Sequence, residues 1–341
     1  MKAAVLTAHY HIEFADIPEP EPKANEVKIK VISAGICGSE VHAFKGTHPF
    51  RHPPAILGHE MAGEIMAVGD EIKGYKVGDR VTVEPQILCG VCDACRAGYP
   101  NLCDNKVVLG TQKWVGGYAE YIVAPEQTLY KIPDNVSYDE AVMIEPLAVG
   151  VHAVREANLK VGQSAIILGG GTIGLATLVA ARQTGVLTTV VTDAVDFNLA
   201  VAREMGATAT INVRKDDLSA AVDAVTGGKG MDAALVAVGI SPVVNQGLAT
   251  VKKRGRVVLI GLFDGEVVIH DPFLIVGGER KIQGSQMYTR ADVQTALDLI
   301  ASGRVDAKPF ITQRLPMSEV QRGFEIVDKK LEDVVKVVLH W

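Results

Sequence analysis

The chain has 341 residues, 48% hydrophobic and 22% charged, with a formal net charge of −6 at neutral pH. That length suits two domains with sizeable cores, and the acidic balance argues against a nucleic-acid partner, whose phosphates demand basic patches. The opening apolar run, residues 1–6, is too short for a signal peptide, and no stretch is long and charge-free enough to span a bilayer. The expectation is a cytoplasmic enzyme with no membrane partner.

Residues 27–32 and Arg80–Val83 are β-branched runs, and 64–68 ends in a turn at Gly69. Pro18, Pro20 and Pro22 exclude helix and suit an extended entry. The first part of the chain therefore reads as an irregular, mainly β domain. Within it stands Gly35-Ile36-Cys37-Gly38-Ser39-Glu40-Val41-His42. Taken alone, this is a buried cysteine before a helix whose N-cap is Ser39, with His42 a satisfied polar residue. Beside the other signals, the cysteine, hydroxyl and histidine gain chemical interest. Gly58-His59-Glu60 offers two further metal-binding side chains, with a glycine that lets backbone approach closely.

Four of the five cysteines, Cys89, Cys92, Cys95 and Cys103, crowd into fifteen positions. In a reducing compartment such crowding favours metal over disulfides. Four thiolates close a tetrahedral zinc and leave no position for substrate, so this site reads as structural; iron–sulfur ligation is the competitor, at different spacing. Residues 141–153 form a long apolar run that predicts a buried helix. Glu145 inside it must be paired or metal-bound, because a bare buried carboxylate is costly.

After Gly162 the pattern becomes alternating strand and helix. Strand 164–168 runs into Gly169-Gly170-Gly171-Thr172-Ile173-Gly174 and helix 175–183, then strand 188–191 ends near Asp193. This is the dinucleotide pattern, with glycines for a tight turn and pyrophosphate approach, and an acid for the ribose hydroxyls. The carboxylate of Asp193 would repel a 2′-phosphate, which favours NAD over NADP. Strands at 209–213, 233–238, 256–260 and 281–285, with helices at 218–226 and 242–252, complete a doubly wound parallel sheet. Lys252-Lys253-Arg254 reads as that last helix's end. Helices at 289–302 and 318–328 and a β run at 334–339 are assigned back to the first domain. The expected domains are 1–150 with 290–341, and 151–289.

Together these residues resemble the zinc-dependent medium-chain alcohol dehydrogenase superfamily, over the whole chain. Gly78-Asp79-Arg80-Val81, Gly58-His59-Glu60 and Val334-Val335-Lys336-Val337 add to the likeness, and Glu145-Pro146 resembles the polyol, sugar-acid, threonine and butanediol branch. The resemblance implies an α/β protein, a GroES-like mainly-β catalytic domain plus a Rossmann domain with the active site in the cleft between them. It implies two zincs per chain. One is held by Cys37, His59 and Glu60 with Glu145 as a fourth or water-linked ligand, the other by Cys89, Cys92, Cys95 and Cys103. It also implies NAD held at Gly169, Gly171, Thr172, Ile173, Gly174, Asp193, Asn198, Ile260 and Gly261. Relatives often carry an arginine where this chain has Asn198, a departure that bears on cofactor affinity.

The implied reaction is hydride transfer from a secondary alcohol of a polyol or sugar acid to NAD. The proton leaves through Ser39 and His42, with Glu145 able to exchange protons too. L-Threonine and 2,3-butanediol are competing substrates, and a silent NAD-binding structural protein or sensor is the reading from another class. By family position Ser39, Phe50, Thr111, Trp114, Glu145 and Tyr288 line the pocket. The loop carrying Lys45, His48, Arg51 and His52 is either a donor set for a polyhydroxylated or carboxylated substrate or a solvated basic loop. Members are usually homo-oligomers, dimers or tetramers.

Overall fold

A computed structural model describes every residue except Asp264. The chain forms two compact units, Met1–Glu145 with Leu297–Trp341, and Pro146–Ala296. The divisions fall inside two helices, Ile144–Ala157 and Arg290–Ala301, a few residues from the 150/151 and 289/290 limits expected from the sequence.

The first unit is built on strand β1 (Glu26–Gly35). Val27, Ile29 and Val31 are fully buried, while Lys28 and Lys30 alternate outward, the period of two that a half-buried strand requires. From Ser33 to Gly35 the strand is buried throughout, where the helix Tyr138–Val142 packs on it. The sheet runs Ile311–Pro316, Lys336–His340, β1, Met61–Val68, Arg80–Val83, Leu129–Lys131, and Tyr121–Pro125 also pairs with β1. An N-terminal hairpin, Lys2–Ala8 with His11–Asp16, was not foreseen from the sequence.

In the second unit six parallel strands lie in the order Ala209–Asn212, Thr188–Asp193, Ser164–Leu168, Met231–Val236, Val251–Leu259, Lys281–Gly284. The unit's first strand, labelled β2 (Ser164–Leu168), sits in the middle and the chain winds outward both ways. Residues 165–168 are wholly buried, as expected of a strand covered on both faces.

Two expectations need correction. Residues 141–153 are not one helix. A first helix, Tyr138–Val142, is capped by Ser137 and Glu140 and stops at Met143; Ile144–Ala157 then starts afresh with Pro146 in its first turn, where a missing N–H costs nothing. Nor do Lys252, Lys253 and Arg254 end a helix. Helix Ser241–Thr250 gives way at Val251 to extended backbone, and the three basic residues lie in the strand Val251–Leu259. Lys252 Nζ pairs there with Asp232 at 2.5 Å. Among the described residues no helix is long and apolar enough to cross a membrane.

Candidate metal and dinucleotide sites

Helix α1 (Gly38–Lys45) starts where β1 ends, and its N-cap is Cys37, not Ser39 as the sequence suggested. Cys37 keeps extended dihedrals, φ −89° and ψ 148°, and its backbone N–H donates to Glu40 Oε2 at 3.3 Å. The glutamate three residues on satisfies the helix end in the manner of a capping box. Ser39 thus falls in the first turn, with its Oγ donating to Cys37 Sγ at 3.4 Å.

The ligand atoms of Cys37, His59 and Glu60 lie within 4.8 Å of one another, the first half-buried and the others buried. Gly58 makes the approach possible. Its φ is +98°, and a Cβ there would meet the Tyr118 ring and backbone at 2.8 Å. Among the described residues Glu145 is not a member of that close set. It is buried in the first turn of Ile144–Ala157, and its charge is felt at Lys336.

Two residues the sequence reading missed hold this cluster in place. Glu40, fully buried, accepts from His59 Nδ1 at 2.7 Å, from the amides of Gly58 and His59 at 2.7 and 3.0 Å, and from the Tyr118 hydroxyl at 2.7 Å. Burial pushes its carboxyl up, but the His59 charge and hydrogen bond, then Arg51 and Tyr118, bring it down to about 2. Burial alone would depress His59; Glu40 and Cys37 outweigh it and raise the ring well above its ordinary value. With Nδ1 engaged by a carboxylate, Nε2 is the nitrogen left to a metal, the usual carboxylate–histidine–metal arrangement.

Lys336, 1% exposed, places Nζ 2.7 and 2.6 Å from the two oxygens of Glu60. Glu60 is therefore both within reach of the cluster and clasped by a buried cation. Signals for both residues were in the sequence. Glu40 stands at the N3 capping position after Cys37, and Lys336 interrupts a valine run that reads as strand on either side.

The donor set fits a cation. A thiol, an imidazole and a carboxylate converge, and the field raises the proton affinity of His59, so positive charge at that point is favoured.

The four cysteines converge too, with their sulfur atoms within 4.8 Å of one another. Backbone amides of Val91 and Cys92 bring Cys89 down to about 6, whereas desolvation and the Cys92 thiol push Cys95 up to about 12. A divalent ion would neutralise the thiolates that crowd there. The lobe has little else to hold it: helix Asp93–Arg96 buries no residue, and Val91, Tyr99 and Leu102 are exposed.

In the second unit, β2 delivers Gly169–Gly174 to the helix Thr172–Gln183, whose N-cap is Gly171. A Cβ on Gly174 would strike the carbonyl of Gly169, so that glycine serves strand–helix packing. Gly171 has no neighbour within 4 Å of its absent Cβ, which leaves its approach open to a ligand. Thr172 and Ile173 form the helix's first turn, whose free amides suit a pyrophosphate. Asp193 ends the neighbouring strand. Its Oδ2 accepts from the Gly170 amide at 2.7 Å and from Asn198 Nδ2 at 3.3 Å, and its Oδ1 from the Val195 amide at 2.8 Å. Ile260 and Gly261 follow the strand Val251–Leu259, and both their amides donate to the Val236 carbonyl. These features fit a dinucleotide.

The remaining expected residues are dispersed. His42 Nδ1 lies 3.0 Å from Thr47 Oγ1. Trp114 belongs to the core of the first unit and donates Nε1–H to the Val123 carbonyl at 2.7 Å. Thr111 Oγ1 donates to the Val108 carbonyl, Phe50 is exposed, and Tyr288, in the second unit, is fully buried. Lys45 faces Asp328 at 3.1 Å, and His52 is exposed.

Two family patterns match the chain: the alcohol dehydrogenase GroES-like domain over residues 23–134 and the zinc-binding dehydrogenase domain over 172–302. The chain belongs to the zinc-dependent medium-chain alcohol dehydrogenases. It is 36% identical to sorbitol dehydrogenase of Bacillus subtilis (strain 168), covering 100% of this chain and 97% of that one. It is also 36% identical to D-arabitol-phosphate dehydrogenase of Enterococcus avium, over 96% and 93%. The solved structure of a zinc-binding dehydrogenase from Sinorhizobium meliloti 1021, bound to NADP, superposes with a TM-score of 0.92 at 32% identity, over 100% and 99% of the two chains.

Proposed function

We propose that this protein oxidises a secondary alcohol of a polyol or sugar acid to the ketone, with NAD as hydride acceptor and two zincs per chain. The observation that carries the reading is the convergence of Cys37, His59 and Glu60 beside the Ser39 hydroxyl. Cys37, His59 and Glu60, with Glu145, are the residues that would hold the catalytic metal; Cys89, Cys92, Cys95 and Cys103 would hold the structural one. Bound zinc supplies Lewis acidity toward the alcohol oxygen, and bound nicotinamide supplies the acceptor carbon for hydride.

The chain's own residues do the rest. Glu40 fixes the His59 ring and its tautomer. Ser39, with its hydroxyl at the cluster, accepts the departing proton, and His42, on the same helix, carries it outward. Asp193 retains acceptor capacity after its three hydrogen bonds, enough for a ribose hydroxyl, and its negative charge disfavours a 2′-phosphate. The names of the two curated relatives, a sorbitol and an arabitol-phosphate dehydrogenase, support a polyol-type substrate.

The test is coenzyme reduction with NAD and with NADP on polyols, aldonates, L-threonine and 2,3-butanediol, with and without a strong chelator. Chelator-sensitive NADH formation on a polyol or aldonate is expected. Preference for NADP would remove the assigned role of Asp193. Turnover that ignores exhaustive metal removal would sink the zinc mechanism.

A further inference from the structure

We propose that Arg51 and His48 form a pocket for an oxyanion carried by the substrate, so that the preferred alcohol is an acid or a phosphate ester and not a neutral polyol. The inference deepens the dehydrogenase reading and rests on it.

Arg51 is 4% exposed, yet among the described residues it has no ion-pair partner within 4 Å. Its Nη1 donates to Ser39 Oγ at 3.2 Å and its Nη2 to the Leu109 carbonyl at 3.3 Å, while Nε is buried without any hydrogen-bond partner. A buried guanidinium with an idle donor and no facing carboxylate is costly. Glu40 eases it only at a distance, being already committed to His59, Tyr118 and backbone amides.

His48 sharpens the case. Its Nδ1 accepts from the backbone amides of Phe50 and Arg51 at 3.2 and 3.1 Å, so Nδ1 carries no proton. The ring is neutral, since burial and then the Arg51 charge bring it down to about 3. Its single proton therefore sits on Nε2, which faces Arg51 Nη1 at 3.3 Å. Both atoms are donors, so this contact is not a hydrogen bond but two donors awaiting one acceptor.

Two donors thus face one another, His48 Nε2 and Arg51 Nη1, while Arg51 Nε stays buried and idle on the guanidinium's other edge. A group that satisfies them must accept repeatedly and should carry negative charge, which describes a carboxylate or a phosphate. Its position is set by Ser39, whose hydroxyl joins Arg51 on one side to Cys37 Sγ on the other. Arg51 itself lies two hydrogen bonds from Cys37, close enough for its anion to belong to the same small substrate as the reacting alcohol. In the loop named from the sequence, Lys45 is paired with Asp328 and His52 is exposed, so this role falls to His48 and Arg51 alone.

The experiment is calorimetric titration of the zinc-loaded full chain with three ligands of one carbon skeleton: xylitol, xylonate and xylitol 5-phosphate. One of the anions should bind at least tenfold more tightly than xylitol, and which one distinguishes carboxylate from phosphate. Arg51→Met should bring that ratio to within about twofold, whereas an arginine that merely supports the fold would weaken all three ligands together. Arg51→Lys, which keeps the charge but loses the fork, should retain part of the preference, and it serves if the methionine variant does not fold. Equal affinity or no binding for all three ligands in the wild type overturns the proposal, as does a preference that survives either substitution unchanged. Dehydrogenation of neutral alcohols by that same protein would leave the proposed function standing.

Discussion

The two metal-type clusters of the first unit are built on opposite principles. The four cysteines come from fifteen consecutive positions and are held by neighbouring amides in a lobe with scarcely any buried side chain. Cys37, His59 and Glu60 instead sit against a hydrophobic core, and beside the local Glu40 two of their supports, Tyr118 and Lys336, arrive from far along the chain. A local site can be organised by its ion alone. A distributed one must be organised by the fold before any ion arrives, and each buried charge needs its own partner.

The largest effect should come from the local cluster. Cys92→Ser is expected to lose one zinc per chain and disorder residues 89–103 while the other zinc stays, because metal binding and folding are one event in a lobe without a core. Metal content per chain and proteolysis between 89 and 103 check this; loss of both zincs together would break the contrast.

Next is Lys336→Met, which strands Glu60 as an uncompensated buried carboxylate. It should cost about 3–5 kcal/mol in denaturant unfolding, the usual penalty for breaking a buried pair from one side. A cost under about 1 kcal/mol would mean that Glu60 finds compensation elsewhere.

The smallest effect concerns Asp139, which accepts from Ser33 Oγ and pairs with Arg314 Nε and His340 Nε2, each at 2.8 Å. Burial raises its carboxyl, but His340, Ser33 and Arg314 bring it below its ordinary value of 3.8. A depressed folded pKa gives stability that is complete above the unfolded pKa and lost as pH falls through the folded one. Asp139→Asn should therefore cost about 1 kcal/mol near neutrality, and the variant should lose stability less steeply below pH 4. Parallel unfolding curves across that range would exclude the linkage.

The sequence exposed what is local. Strand Ser164–Leu168, the glycine turn and Asp193 lie within thirty residues, and the cysteine spacing is nearly contiguous, so periodicity and residue type suffice to read them. Glu40 and Lys336 escaped because their meaning depends on partners brought by the sheet. Lys336 reads as a surface lysine until the strand Lys336–His340 pairs with β1. The helix limits at Val142 and Ile144 were missed because hydrophobicity continues across them, and the limit at Val251 because the three basic residues after it read as a helix end.

The clasp between Glu60 and Lys336 joins residues 276 positions apart. During synthesis from the N-terminus, Cys37, His59 and Glu60 leave the ribosome while their counter-charge is still unmade, and the whole dinucleotide unit must be translated before the lysine arrives. At speeds of about 5–20 residues per second, that interval lasts roughly 14–55 seconds. For that time Glu60 lacks its buried cation, so the order of synthesis itself postpones closure of the cluster until the last strand of the first unit is made.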